Sequence, residues 1–90
     1  MMNRVFKYPL KVSDEQIVVL PSVRKVLCVE VQGGIPCLWA EVNTESEELK
    51  PLRVLIFGTG HAMPDDPGRY LGTFQLVGGS FVGHVYLKGE

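Results

Sequence analysis

Short apolar runs, several of them alternating with polar residues, occupy most of the 90-residue chain and are separated by Gly, Pro and Asp. Alternation with a period of two marks a strand with one buried face. On this pattern residues 5–12, 16–20, 25–32, 35–42, 52–59, 70–77 and 80–88 are predicted strands, rich in Val, Leu and aromatics. A helical pattern is nearly absent: residues 46–50, SEELK, offer one turn at most before Pro51 stops it. The expected fold is all-β, a small antiparallel sandwich or barrel of about seven short strands in one domain over residues 1–90. Closure would also remove the exposed edges that invite aggregation.

Two Gly-Gly pairs set the register. Gly33 and Gly34 suit the positive φ angles of a two-residue hairpin turn. Gln32 then faces Ile35, Val31 faces Pro36 and Val29 faces Leu38. One face collects Leu27, Val29, Val31, Pro36, Leu38 and Ala40; the other carries Cys28, Glu30, Gln32, Ile35, Cys37 and Trp39. Both strands agree on the core face, and a one-residue slip would invert one of them. Gly78 and Gly79 predict a second two-residue turn, with Tyr70, Gly72, Phe74, Leu76, Phe81, Gly83, Val85 and Leu87 facing the core. Thr73 then lies opposite His84 on the other face. Residues 52–59 are apolar on both sides, as in a central or covered strand.

Composition narrows the classes. A 46% hydrophobic share is rich for a chain of this length, which buries only about 60–65% of its unfolded surface. The excess predicts a homo-oligomer, dimer or tetramer, through the face carrying Trp39 or the mixed face of the last hairpin. A second packed sheet face is the plainer reading. The net charge of −1 gives no field that favours polymeric nucleic acid or an anionic membrane. No apolar run reaches the roughly 20 residues of a membrane span. The first residues, MMNRVFKYPL, lack the apolar centre of a signal peptide, so a cytosolic location with reduced Cys28 and Cys37 is expected.

One long segment, FGTGHAMPDDPGRYLG over residues 57–72, reads as neither strand nor helix. An elaborate loop on a strand scaffold is where binding residues concentrate. Gly58, Thr59, Gly60 and His61 can form an anion-binding concavity of backbone amides. The plain reading is a tight turn; a P-loop is excluded, since no lysine follows at the required spacing. His61, Asp65, Asp66 and His84 match no metal-ligand spacing, and PDDPG reads first as a proline-initiated turn. Thr59 and Ser80 have no nucleophile motif around them, and the cysteines read as small hydrophobes within strands. Trp39, Phe57, Tyr70 and Tyr86 can stack on flat rings, with packing as the plain reading. Arg53 and Arg69 can supply charge for phosphates.

FKYPL, PCLWA, FGTGH, DDPG, YLGTFQLVGG and HVY together resemble a family of very small bacteriophage-encoded β proteins. The resemblance covers nearly the whole chain and is most specific in FGTGH, DDPG and YLGTFQL. It is similar to the anti-CBASS sponges, which work as symmetric tetramers binding a cyclic dinucleotide. That resemblance implies a protein of the host bacterial cytoplasm that sequesters a nucleotide signal without chemistry and without a cofactor. A two-fold axis suits a ligand with two similar halves. The expected pocket lies at a subunit interface with the loop from Gly58 to Tyr70 as one wall: amides around Thr59 with Arg53 or Arg69 on phosphate, Tyr70 or Trp39 on a base, and His61 bonding ligand. Two alternatives stand beside it: a phage structural or accessory protein that only assembles with proteins, and a small metal-dependent nucleotide hydrolase.

Overall fold

The structure is a computed structural model that describes residues 2–89, with the side chain of Arg24 left aside. Its strands are β1 (Asn3–Pro9), β2 (Glu15–Pro21), β3 (Val23–Gln32), β4 (Ile35–Asn43), β5 (Leu49–Gly58), β6 (Arg69–Leu76) and β7 (Phe81–Lys88). They form two antiparallel sheets, ordered β1-β4-β3 and β2-β5-β7-β6. The all-β fold read from the alternation is therefore the observed one, in the form of a small sandwich. Leu38 and Val42 of the first sheet and Leu20, Val54, Val85 and Leu87 of the second are fully buried between the two.

Residues 46–50 do not form the expected turn of helix: 46–48 are irregular, and Leu49 and Lys50 open β5. Local side chains compete for the backbone there. Asn43 Oδ1 accepts from the Glu45 N–H at 3.0 Å, and Ser46 Oγ accepts from the Glu48 N–H at 3.1 Å.

The first hairpin has the predicted register, with Gln32 opposite Ile35, Val29 opposite Leu38 and Cys28 opposite Trp39. Gly33 and Gly34 have φ of 58° and 78°, as the tight turn requires. Beyond Cys28 the register shifts, so that Val26 and not Leu27 continues the core face, opposite Ala40. Leu27 is exposed and Val26 is buried, the reverse of the predicted faces. One extra residue in a strand turns every later side chain over.

The second hairpin repeats this history. Thr73 lies opposite His84 and Phe74 opposite Gly83 as predicted, but the turn is wider than two residues. Val77–Gly79 form a short 3₁₀ turn in which Val77, Gly78 and Gly79 all have positive φ. A bulge at Leu71 then moves Tyr70 off the core face: Tyr70 pairs with Tyr86, Gly72 with Val85, and Leu71 packs against the core instead. Tyr70 is 52% exposed on the outer side. The strands bearing the Leu27 and Leu71 bulges meet across the sandwich at Val29, whose Cγ1 lies 2.9 Å from where a Gly72 Cβ would stand.

β5 is central, between β2 and β7, as its two apolar sides predict. Leu52, Val54 and Ile56 face the core, while Leu55 and Phe57 face outward with Arg53. Both β5 and β6 are antiparallel to β7, so they run the same way with β7 between them. β5 ends level with Gly83 and β6 begins level with Leu87, so residues 59–68 return along the length of β7. The core fills the inner side, which leaves the outer side for this return. Lys88 Nζ donates to the Asp66 carbonyl at 2.7 Å and holds it there. Gly68 (φ 98°) lies so close to the Leu87 carbonyl that a Cβ would stand 2.2 Å from its oxygen.

Gly83 is the tightest point inside the sheet: a Cβ would stand 2.6 Å from Phe74 Cζ and 3.1 Å from Ile56 Cγ2. Gly83→Ala is expected to destabilise the fold by about 1–3 kcal/mol, the range for overpacking a dense core. Urea unfolding measures this, and an unchanged midpoint would show that the Phe74 ring moves freely.

Candidate functional site

β5 leaves the sheet through a tight turn. The His61 N–H donates to the Gly58 carbonyl at 3.0 Å, with Gly60 at φ 88° in the third position. Gly58 leaves room for the His61 ring, whose Cε1 lies 2.9 Å from where a Cβ would stand. The turn is also tied to the sheet, because the Thr59 N–H donates to the Val82 carbonyl at 3.3 Å. Two of the amides expected for an anion concavity, the N–H groups of Thr59 and His61, are therefore committed to protein carbonyls.

The exposed His61 ring stands where open clefts meet. One of about 320 Å³ lies between the Gly58–Thr59–His61 turn and residues 79–82. A smaller one of about 100 Å³ is walled by Val12, Asp14, Ile56 and Phe81. A third, also about 320 Å³, runs past Phe57 and Ala62 to Asp14.

Thr59 belongs both to the first cleft and to a hydrogen-bonded chain on the outer face of the second sheet. Its Oγ1 is 2.7 Å from His84 Nε2, and His84 Nδ1 is 3.0 Å from Thr73 Oγ1. Thr73 Oγ1 is in turn 2.6 Å from the Tyr70 hydroxyl. Strand pairing builds the middle of this chain, since Thr73 and His84 are direct cross-strand partners. The Leu71 bulge builds its end by turning Tyr70 to the same face. Beside the chain, Tyr86 packs edge-on against Phe57 (centroids 5.7 Å apart) and Tyr70 (5.4 Å). Such edge contacts are favoured by the ring quadrupoles.

Of the residues singled out from sequence, Phe57, Gly58, Thr59, Gly60, His61 and Tyr70 gather on this face or at its end. Trp39 does not. It lies on the other sheet between Lys7 and Cys28, half-buried, with no hydrogen-bond partner for its Nε1 among the described residues. Arg53 shares the face but stands four positions before Phe57, on the order of 13 Å away at the strand rise, and opposite Lys88. It forms a two-bond fork with Glu15, Nε to Oε2 at 2.7 Å and Nη2 to Oε1 at 3.1 Å. Arg69 opens β6 level with Leu87, at the end of β7 away from Gly58. Tyr86 was weighed from sequence for stacking and His84 for metal and acid–base chemistry, while Thr73 was given no role; the predicted register that set Thr73 against His84 was the signal that joins them. No three His, Cys, Asp or Glu side chains gather to hold a metal among the described residues. Cys28 and Cys37 are free thiols, and burial followed by Glu30 pushes Cys28 above the ordinary thiol range.

The fold and this face define a small two-sheet β protein with a partly covered patch of aromatic rings, hydroxyls and one imidazole on the outer side of the second sheet. The chain belongs to a family described as a domain of unknown function (DUF7352), matched over residues 1–90. No curated protein and no solved structure matches it.

The Arg53 fork has a measurable consequence. The hydrogen bond from Arg53, then its charge, holds Glu15 below the ordinary carboxylate range. A carboxylate with a lowered folded pKa adds stability that is fully present above its unfolded pKa and is lost as pH falls through the folded one. Both side chains are exposed, so the effect on stability is small. Arg53→Ala is expected to move the Glu15 titration upward toward the ordinary value, followed by carboxyl-carbon NMR. An unmoved midpoint would mean that the fork does not persist in solution.

Proposed function

We propose that the protein binds a small nucleotide signal on the outer face of the β2-β5-β7-β6 sheet and releases it unchanged, acting as a phage sponge for a cyclic dinucleotide or related signal in the host cytoplasm. The observation that carries this reading is the Thr59 hydroxyl at the edge of a cleft, linked through His84 and Thr73 to Tyr70, on a face that also holds the packed rings of Tyr86 and Phe57. A few placed polar groups against an aromatic wall are the usual make-up of a small-ligand site. Base contact with an aromatic is worth about 1–3 kcal/mol, which suits tight capture by a small surface. The resemblance of FGTGH, DDPG and YLGTFQL to phage proteins similar to signal sponges supports it from the sequence.

The phosphate contact differs from the one expected at first. With Arg53 held by Glu15 and the Thr59 and His61 amides bonded to protein carbonyls, the Thr59 hydroxyl is placed to donate to a ligand oxygen. A hydrolase is the second reading, and the 2.7 Å contact between Thr59 and His84 favours it, since a hydroxyl beside an imidazole is an activatable nucleophile. Titration calorimetry with cyclic dinucleotides and ADP-ribose isomers, with chromatography of the ligand afterwards, separates the readings. Binding with intact ligand is expected, weakened about tenfold by Thr59→Val, the loss of one hydrogen bond, and changed less than about twofold by Arg53→Ala. Breakdown that depends on His84 supports the hydrolase; no binding by any nucleotide sinks both readings.

The homo-oligomer remains part of the proposal, with its contact moved to β2. Ile17, Val19 and Leu49 are more than half exposed along that edge of the sheet. Two β2 edges paired antiparallel about Val18 set Ile17 against Val19 of the second copy and oppose no like charges. Light scattering is expected to give a dimer or tetramer for the native chain and a monomer for Val19→Lys. A native monomer at micromolar concentration would remove this contact.

A further inference from the structure

The hydroxyl–imidazole chain has a property that its separate members lack. A neutral imidazole carries one N–H, so His84 donates at one nitrogen and accepts at the other. If Nε2 donates to Thr59, then Nδ1 accepts from Thr73 and Thr73 accepts from Tyr70. The Thr59 hydroxyl is then free to donate outward, and the Tyr70 oxygen can only accept. In the opposite sense Thr59 donates inward and Tyr70 donates outward. One proton arrangement therefore fixes the character of both ends, and the tautomer of His84 records which arrangement is present.

We propose that the Tyr70–Thr73–His84–Thr59 chain is a coupled reader: a phosphoryl oxygen accepting from Thr59 makes Tyr70 an acceptor, so the site selects a ring that offers an amino donor over one that offers a carbonyl oxygen. The proposal rests on the nucleotide reading above and narrows it to amino-purine nucleotides. The placements agree with it. Thr59 opens to the cleft beside the turn at residues 79–82, while Tyr70 is half exposed against the Tyr86 ring. The groups bonded to His84 are the hydroxyls of Thr59 and Thr73, with the Phe57 strand position opposite it on β5. No carboxylate or cation among these neighbours forces the imidazole into one tautomer, which leaves the choice to the ligand. The imidazole and the Thr73 hydroxyl act as positioning groups, since the two chain ends alone touch the ligand.

The experiment compares cyclic di-AMP, which offers amino groups, with cyclic di-IMP, which has carbonyl oxygens in their place. Calorimetry measures affinity, and nitrogen-15 NMR of labelled histidine reads the His84 tautomer. Cyclic di-AMP is expected to bind at least about tenfold more tightly, because an acceptor facing an acceptor leaves both unsatisfied, and to drive His84 to the Nε2–H form. Thr73→Val breaks the chain in its middle without touching either end, and is expected to remove most of the preference while retaining binding. Thr73→Ser keeps the hydroxyl and is expected to restore it. Equal binding of the two nucleotides, a preference that survives Thr73→Val, or binding without a change of tautomer overturns the coupled reader and leaves the nucleotide site standing. Failure of both nucleotides to bind overturns the reader, and silence across the wider nucleotide panel overturns the site as well.

Discussion

The position of β7 between β5 and β6 is the constraint from which the rest of this structure follows. Two strands running the same way on either side of a third cannot be joined by a short turn. The chain must leave at one end of β7 and enter at the other. It makes the return without a helix, along the outer side of the sheet, tied down by Lys88 and passing close to the Leu87 carbonyl at Gly68. That return creates the turn at residues 58–61, and the turn places the Thr59 hydroxyl over His84. A hairpin between β5 and β6 would have left neither the loop nor the hydrogen-bonded chain.

The bulges at Leu27 and Leu71 are the second determinant, and they mark the limit of what the sequence displays. Alternation and Gly-Gly pairs were enough to read two hairpins, their registers near the turns and the central place of β5. They could not reveal where a strand gains a residue. Val26-Leu27 and Tyr70-Leu71 each present two apolar side chains in a row, and either member can face the core. The choice is made across the sandwich, where Gly72 admits Val29 and Leu71 rather than Tyr70 fills the interior. Tertiary packing sets it, and local pattern does not. For the site the consequence is direct: without the Leu71 bulge Tyr70 would point inward and Thr73 would have no phenol to bond.

The candidate site was legible in part for the same reason. Glycine spacing and the cluster of polar residues pointed to the end of β5, and Phe57, Thr59, His61 and Tyr70 do gather there or on the adjoining face. Trp39 was placed with them only because aromatic residues invite a stacking role, and the strand order sends it to the other sheet. Arg53 was assigned to phosphate by charge alone, whereas Glu15 meets it through the β2–β5 pairing, which no local pattern announces. His84 had no motif around it. Its importance comes from a cross-strand neighbour and a loop that arrives from far along the chain, and such constellations appear once the register and the loop path are both known.

The central claim is that ligand is held on the outer face of the four-stranded sheet at the end of β5. Amide and methyl shift mapping during titration with cyclic di-AMP tests it most directly. The account predicts the largest changes at Thr59, Thr73, His84, Tyr86 and Tyr70, with Trp39, Cys28 and the rest of the β1-β4-β3 sheet unmoved. Changes concentrated around Trp39 and the outer side of that first sheet would contradict it.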